Sequence, residues 1–198
     1  SSAADPRVVS PRPSGLRKGS VMALFVCDAS LWGGGAACWP NASLYYANSP
    51  PTAYFSVQWS TFHEQLLGAV IGDPAHQATF EAYTFLLAIS SWVNESTRGR
   101  IVLVGDALGV MHGMAQWSAK SRVVNEISKE IALVLAPLCL SLMGIHIWGE
   151  ENIWADQLSR LAQGAPFPKE LFGLALLRAL TPCSAWLVLG RGVTCVAS

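Results

Sequence analysis

Two short apolar runs in this chain each lead into an aspartate. Residues 21–27, VMALFVC, run into Asp28, and residues 101–104, IVLV, run through Gly105 into Asp106. Apolar runs of this length, without polar alternation, are strands covered on both faces. With helical segments between them, two such runs argue for a layered α/β structure. The aspartates then stand where such strands emerge, the edge at which α/β folds place their ligands.

The rest of the chain fits that frame. Trp32-Gly33-Gly34-Gly35 reads as a turn, residues 36–39 as a second strand and residues 53–59, AYFSVQW, as a third. Short joins between these three strands predict an antiparallel meander. Phe80, Tyr83, Thr84, Leu87 and residues 89–92 place an apolar stripe on a helix over 79–93. Helices are also expected over 107–117, 123–135, 153–162 and 169–180, with a fifth strand inside 141–148. The order predicts a five-stranded mixed sheet with helices on both faces. Residues 1–20, rich in Pro and Arg, read as a flexible basic arm, 21–164 as the folded domain, and 165–198 as a partly helical extension.

Composition excludes little. With 198 residues the chain suits one domain with extensions. Lys+Arg and Asp+Glu are both 13, so net charge gives no sign of a nucleic-acid binder, and only the local field at a site can decide. The five cysteines form no CxxC pair, which suits reduced thiols. The longest apolar stretch, 131–145, is interrupted by Pro137 and falls short of the roughly 20 residues that span a bilayer. It reads as a helix followed by a strand. No signal peptide is visible in the arm, and the final CVAS, which matches a prenylation box, has no basic run before it. An intracellular location, in cytoplasm or nucleus, is expected, with no membrane partner.

Four acids stand out: Asp28 and Asp106 after strands, Glu81 within the apolar helical run FEAYTFLLAI, and Asp156 between Trp154 and Leu158. Each has a plain structural reading as turn residue, helix cap, first-turn acid or solvated side chain. Together they can converge at one sheet edge. Converging carboxylates repel and need protons or a cation to offset the repulsion. A pair of Mg²⁺ ions, with Mn²⁺ as substitute, suits all-oxygen ligands and phosphodiester hydrolysis.

The order strand-Asp, helix-Glu, strand-Asp, helix-Asp resembles the ribonuclease H family. The sharpest match is residues 146–160, HIWGEENIWADQLSR. It looks like the end of the ribonuclease H domain of LTR and DIRS-like retroelements. FVCDAS at 25–30 and VGDALGV at 104–110 resemble other acidic motifs of the family more loosely. The resemblance implies metal ligation by Asp28, Glu81, Asp106 and Asp156, with Asp28 bridging two ions. It implies cleavage of the RNA strand of an RNA–DNA hybrid, leaving 3′-hydroxyl and 5′-phosphate ends, beside a reverse transcriptase domain of the same polyprotein. Ser30, Lys120, Arg122 and Asn152 are the substrate contacts expected. Ala107 departs from the Asn or Ser frequent after the third acid. The loop before the last acidic helix lacks the His of cellular enzymes, and His146 is expected to be packed or hydrogen-bonded. Trp117, Trp148 and Trp154 are of a type that stacks on bases, but core packing is the expectation for all three. A DNA nuclease of the same fold and a non-catalytic binding domain remain the alternatives.

Overall fold

The computed structural model describes residues 22–116 and 119–174. Five strands form one sheet in the order β3-β2-β1-β4-β5. They are β1 (Met22–Ala29), β2 (Gly33–Trp39), β3 (Ala53–Gln58), β4 (Arg100–Gly105) and β5 (Ser141–His146). The first three pair antiparallel, as the short joins require, while β4 and β5 run parallel to β1. The sheet is therefore mixed, as the element order predicts.

Parallel pairing requires crossovers, and helices supply them. Helix α3 (Gln77–Trp92) lies between β3 and β4 in the chain, while α4 (Leu108–Ala115) and α5 (Arg122–Leu135) lie between β4 and β5. Side-chain alternation divides β1 between two cores. Phe25, Cys27 and Ala29 join the core beneath α3, α4 and α5. Met22, Leu24 and Val26 join a smaller core on the opposite face, under α1 (Ala42–Tyr46) and α6 (Ile153–Ser159). A strand so covered must be apolar throughout, which is the pattern of residues 21–27. The stretch at 131–145 likewise closes α5 and opens β5.

The sequence reading needs correction at several elements. Gly33, Gly34 and Gly35 are not a turn but the first half of β2. They sit there because α6 and the side chains of α3 press too closely for a Cβ: one on Gly35 would lie 2.4 Å from Leu158 Cβ, and one on Gly34 2.6 Å from Thr84 Oγ1. Asp28 lies inside β1 rather than after it. Helices α1 and α2 (Thr61–Leu67) carry only five and seven residues, too few for a periodic stripe. The helix over 169–180 does not form in its described part. Lys169–Leu171 makes one 3₁₀ turn, and Gly173 at φ +83° takes the chain out of helical geometry. The basic arm, Trp117 and residues 175–198 lie outside the described residues.

Candidate metal centre

Three elements deliver a carboxylate each to one end of the sheet. Asp28 continues the parity of Leu24 and Val26 and pairs in register with Gly35 of β2. Glu81 projects from α3, and Asp106 follows β4 directly. Oxygens of Asp28, Glu81 and Asp106 all lie within 4.8 Å of one another. Asp28 and Glu81 are each only 5% exposed. The plain readings fail for two of the three: Glu81 does not face solvent, and Asp106 does not cap α4, whose N-cap is Ala107 with no side-chain bond.

Burial without a cation favours the protonated forms of Asp28 and Glu81. Burial raises the Asp28 carboxyl to about 7, with the nearby Asp106 and Asp156 adding to the rise. A hydrogen bond from Ser159 and the charge of Arg160 work in the other direction. Glu81 is raised well above its ordinary value by burial first, then by Asp28 and Asp106. Among the described residues no arginine or lysine forms an ion pair with the three acids; Arg160 is committed to Asp156 at 2.6 Å and Arg122 to Glu126 at 2.8 Å. A group of oxygen donors, two of them buried, with no ion pair to them among the described residues, fits a hard divalent cation.

A polar scaffold holds the acids in place. Ser159 Oγ, in the last turn of α6, donates to Asp28 Oδ2 at 2.5 Å. Gln77 Nε2 donates to Glu81 Oε1 at 2.9 Å and also to the Ala29 carbonyl. Asn152 Nδ2 donates to the Cys27 carbonyl at 3.0 Å, tying the turn before α6 to the end of β1. His146 Nε2 lies 3.1 Å from the Asp106 carbonyl oxygen, so the histidine is hydrogen-bonded to backbone, as expected of it.

The remaining candidates fall in different places. Asp156 is outside the group of three; its Oδ1 accepts from Arg160 Nε, although its charge is felt at Asp28. Ser30 is buried, donating to the Ser159 carbonyl at 2.8 Å and accepting from Gly33 N–H and Gln163 Nε2. Asn152 is buried too, with Oδ1 lacking a partner. Ser30 and Asn152, both expected as substrate contacts, are thus buried and tied by hydrogen bonds into the scaffold beside the acids. Lys120 is exposed in the turn before α5, and Arg122 extends into solvent beside Glu126. Trp154 stacks on Trp39, with centroids 5.4 Å apart, as core packing predicts. Trp148 does not: it is 72% exposed. Sequence reasoning missed Ser159 and Gln77. Gln77 precedes Glu81 by four residues, a spacing that places both on one helix face and signals the pair. Ser159 lies inside the motif at 146–160, but nothing local to it signals a bond to Asp28.

The architecture is shared with solved structures. The chain matches the N-terminal ribonuclease H domain of a Mycobacterium tuberculosis protein, solved as a fusion with maltose-binding protein, at TM-score 0.51 and 16% identity over 74% of this chain and 96% of that one. Ribonuclease H1 from the halophilic archaeon Halobacterium salinarum matches at TM-score 0.47 and 14% identity, over 74% of this chain and 98% of that one. No protein-family model and no curated protein matches the chain. The chain thus carries the ribonuclease H-like fold. At this identity the likeness extends to architecture, and the chemistry rests on the residues themselves.

Proposed function

We propose that this protein is a metal-dependent endonuclease that hydrolyses the RNA strand of RNA–DNA hybrids during reverse transcription of a retroelement. The observation that carries this reading is the convergence of Asp28, Glu81 and Asp106, from three separate elements, within 4.8 Å at the sheet edge. The motif at 146–160 supports the retroelement setting and a reverse transcriptase domain as its neighbour. Asp28, Glu81 and Asp106 would hold Mg²⁺ or Mn²⁺, with Asp156 completing a second position at the rim. Bound there, a pair of such ions supplies an activated water and offsets charge on the reacting phosphate. The residues of the chain fix the geometry. Ser159 holds one oxygen of Asp28, Gln77 holds one of Glu81, and the buried setting strengthens every charge interaction within the site. The RNA strand is distinguished from DNA by its 2′-hydroxyl.

The test is incubation with a hybrid labelled on either strand, in Mg²⁺ or Mn²⁺. Cleavage of the RNA strand, reduced to background in Asp106→Asn, is expected. An inactive wild type, or an equally active Asp106→Asn, overturns the reading. Preference for duplex or junction DNA in the same panel assigns the site to a DNA nuclease instead.

A further inference from the structure

We propose that Trp148 is a substrate-binding residue whose ring forms an apolar wall at the mouth of the acid cluster and packs against the sugar and base of the nucleotide beside the scissile phosphate. The inference rests on the nuclease reading above and extends it to a residue outside the acid set.

The position of Trp148 is fixed from both sides in the chain. Ile147 N–H donates to the Gly105 carbonyl at 3.0 Å, holding the segment to the end of β4. Gly149 lies against Asp106 so closely that a Cβ would stand 3.2 Å from Oδ2. Trp148 therefore sits one residue from a glycine on which an added Cβ would meet the Asp106 carboxylate. Its ring meets His146 edge-on, with centroids 5.4 Å apart and planes at 81°, and His146 is itself bonded to the Asp106 carbonyl. The ring is thus braced on the site rather than free of it.

Its exposure needs a cause. Tryptophan is highly buried on average, and the other tryptophan of the same motif, Trp154, is stacked on Trp39. Trp148 is 72% exposed, and Leu108, two residues after Asp106, is 59% exposed. Two large apolar side chains thus stand in solvent on the segments that follow β4 and β5. Both segments leave the sheet at the end that carries Asp106, so a ligand whose phosphate reaches the carboxylates comes within reach of these side chains. An uncharged ring there has no attraction for phosphate, but it can cover a sugar or base face.

The experiment uses the full chain and a fluorescently labelled RNA–DNA hybrid. Anisotropy in EDTA gives the Kd, and cleavage in Mg²⁺ gives KM and kcat. Trp148→Ala is expected to raise Kd and KM about tenfold, the change that losing ~1.4 kcal/mol, or roughly 55 Å² of buried ring, produces. kcat should move far less than KM, as for a contact made equally before and during the reaction. Trp148→Phe should restore most of the affinity. The dependence of affinity on salt should be the same in wild type and Trp148→Ala, because no phosphate contact is lost. Thermal melting of Trp148→Ala at the wild-type temperature excludes misfolding as the cause. Wild-type cleavage with unchanged Kd and KM in Trp148→Ala overturns the inference and leaves the nuclease reading standing. Self-association lost in Trp148→Ala at unchanged hybrid affinity also overturns it, in favour of a protein contact. A wild type that neither binds nor cleaves hybrid overturns both.

Discussion

Asp28 shows what a single residue contributes here, because its environment opposes its charge. Its carboxyl is raised from 3.8 to about 7 by burial, and Glu81 is raised in the same direction. In metal-free protein the folded state then holds protons that the unfolded state has released. Stability contributed by these groups is full below about pH 4 and is lost as pH rises toward 7, by an amount on the order of a few kcal/mol. Urea denaturation in EDTA should show this fall. Asp28→Asn should flatten it and be the more stable protein at pH 8; a wild type whose stability is level between pH 4 and 7 contradicts the assignment. Ser159 makes the complementary case. Its hydroxyl is the one donor to Asp28 Oδ2 among the described residues, and it favours the charged form. Ser159→Ala should cost about 1–3 kcal/mol at pH 8, where the carboxylate is ionised, and less at pH 5. Equal costs at the two pH values would show that the hydroxyl serves packing alone. The acids were legible in the sequence because charges inside or at the end of apolar runs are conspicuous. Ser159 was not, because its partner lies 131 positions away and the contact exists only once α6 has docked on β2.

At the scale of elements, the docking of α6 depends on two of the three glycines of β2, Gly33 and Gly35. In sequence, Gly33, Gly34 and Gly35 have the appearance of a turn, since consecutive glycines usually punctuate chains. In the fold they are strand residues: Gly33 and Gly35 let the backbone of α6 lie directly on the sheet, and Gly34 makes room for Thr84 and Trp59 on the other face. A Cβ on Gly33 would fall 2.7 Å from the Ser159 carbonyl oxygen, and one on Gly35 2.6 Å from the Ser159 N. Backbone cannot yield as a flexible side chain does. Gly35→Ala should therefore destabilise the protein by roughly 1–3 kcal/mol or more and weaken its stabilisation by Mg²⁺, since Ser159 and Asp28 move apart. Gly109, in α4, is the control: a Cβ there meets nothing within 4 Å. Gly109→Ala should add about 0.4–1 kcal/mol. Chemical denaturation of the two variants checks both signs at once, and a neutral Gly35→Ala would mean that α6 docks more loosely than these distances allow. Elements with a long buried face were readable in sequence: α3, α5 and the strands. The short helices α1 and α2 were not, since they are set by local caps: Asn41 accepts from Ser43 N–H, and Ser60 and His63 form a capping box.

For the whole molecule, neutrality conceals an asymmetry. Of the 13 basic residues, Arg7, Arg12, Arg17 and Lys18 fall in residues 1–20, and of the 13 acids only Asp5 does. That leaves nine bases against twelve acids in residues 21–198, a net charge of −3 balanced by +3 in the arm. A polyanionic substrate approaching the acid cluster meets an opposing field unless cations occupy the cluster and basic side chains are brought from elsewhere. Within the folded body Arg160 and Arg122 are already paired with Asp156 and Glu126. The arm is the concentrated source of positive charge that remains. Each phosphate contact contributes about 0.9 to the slope of log affinity against log salt on duplex substrates. Replacing Arg7, Arg12, Arg17 and Lys18 by Gln in the full chain should therefore flatten that slope by up to about 3.6 and weaken binding most at low salt. RNA-strand cleavage at saturating hybrid should change little, because the acids that define the site are untouched. Anisotropy titrations of a labelled hybrid across a salt series measure the slope. An unchanged slope would show that the arm makes no phosphate contact.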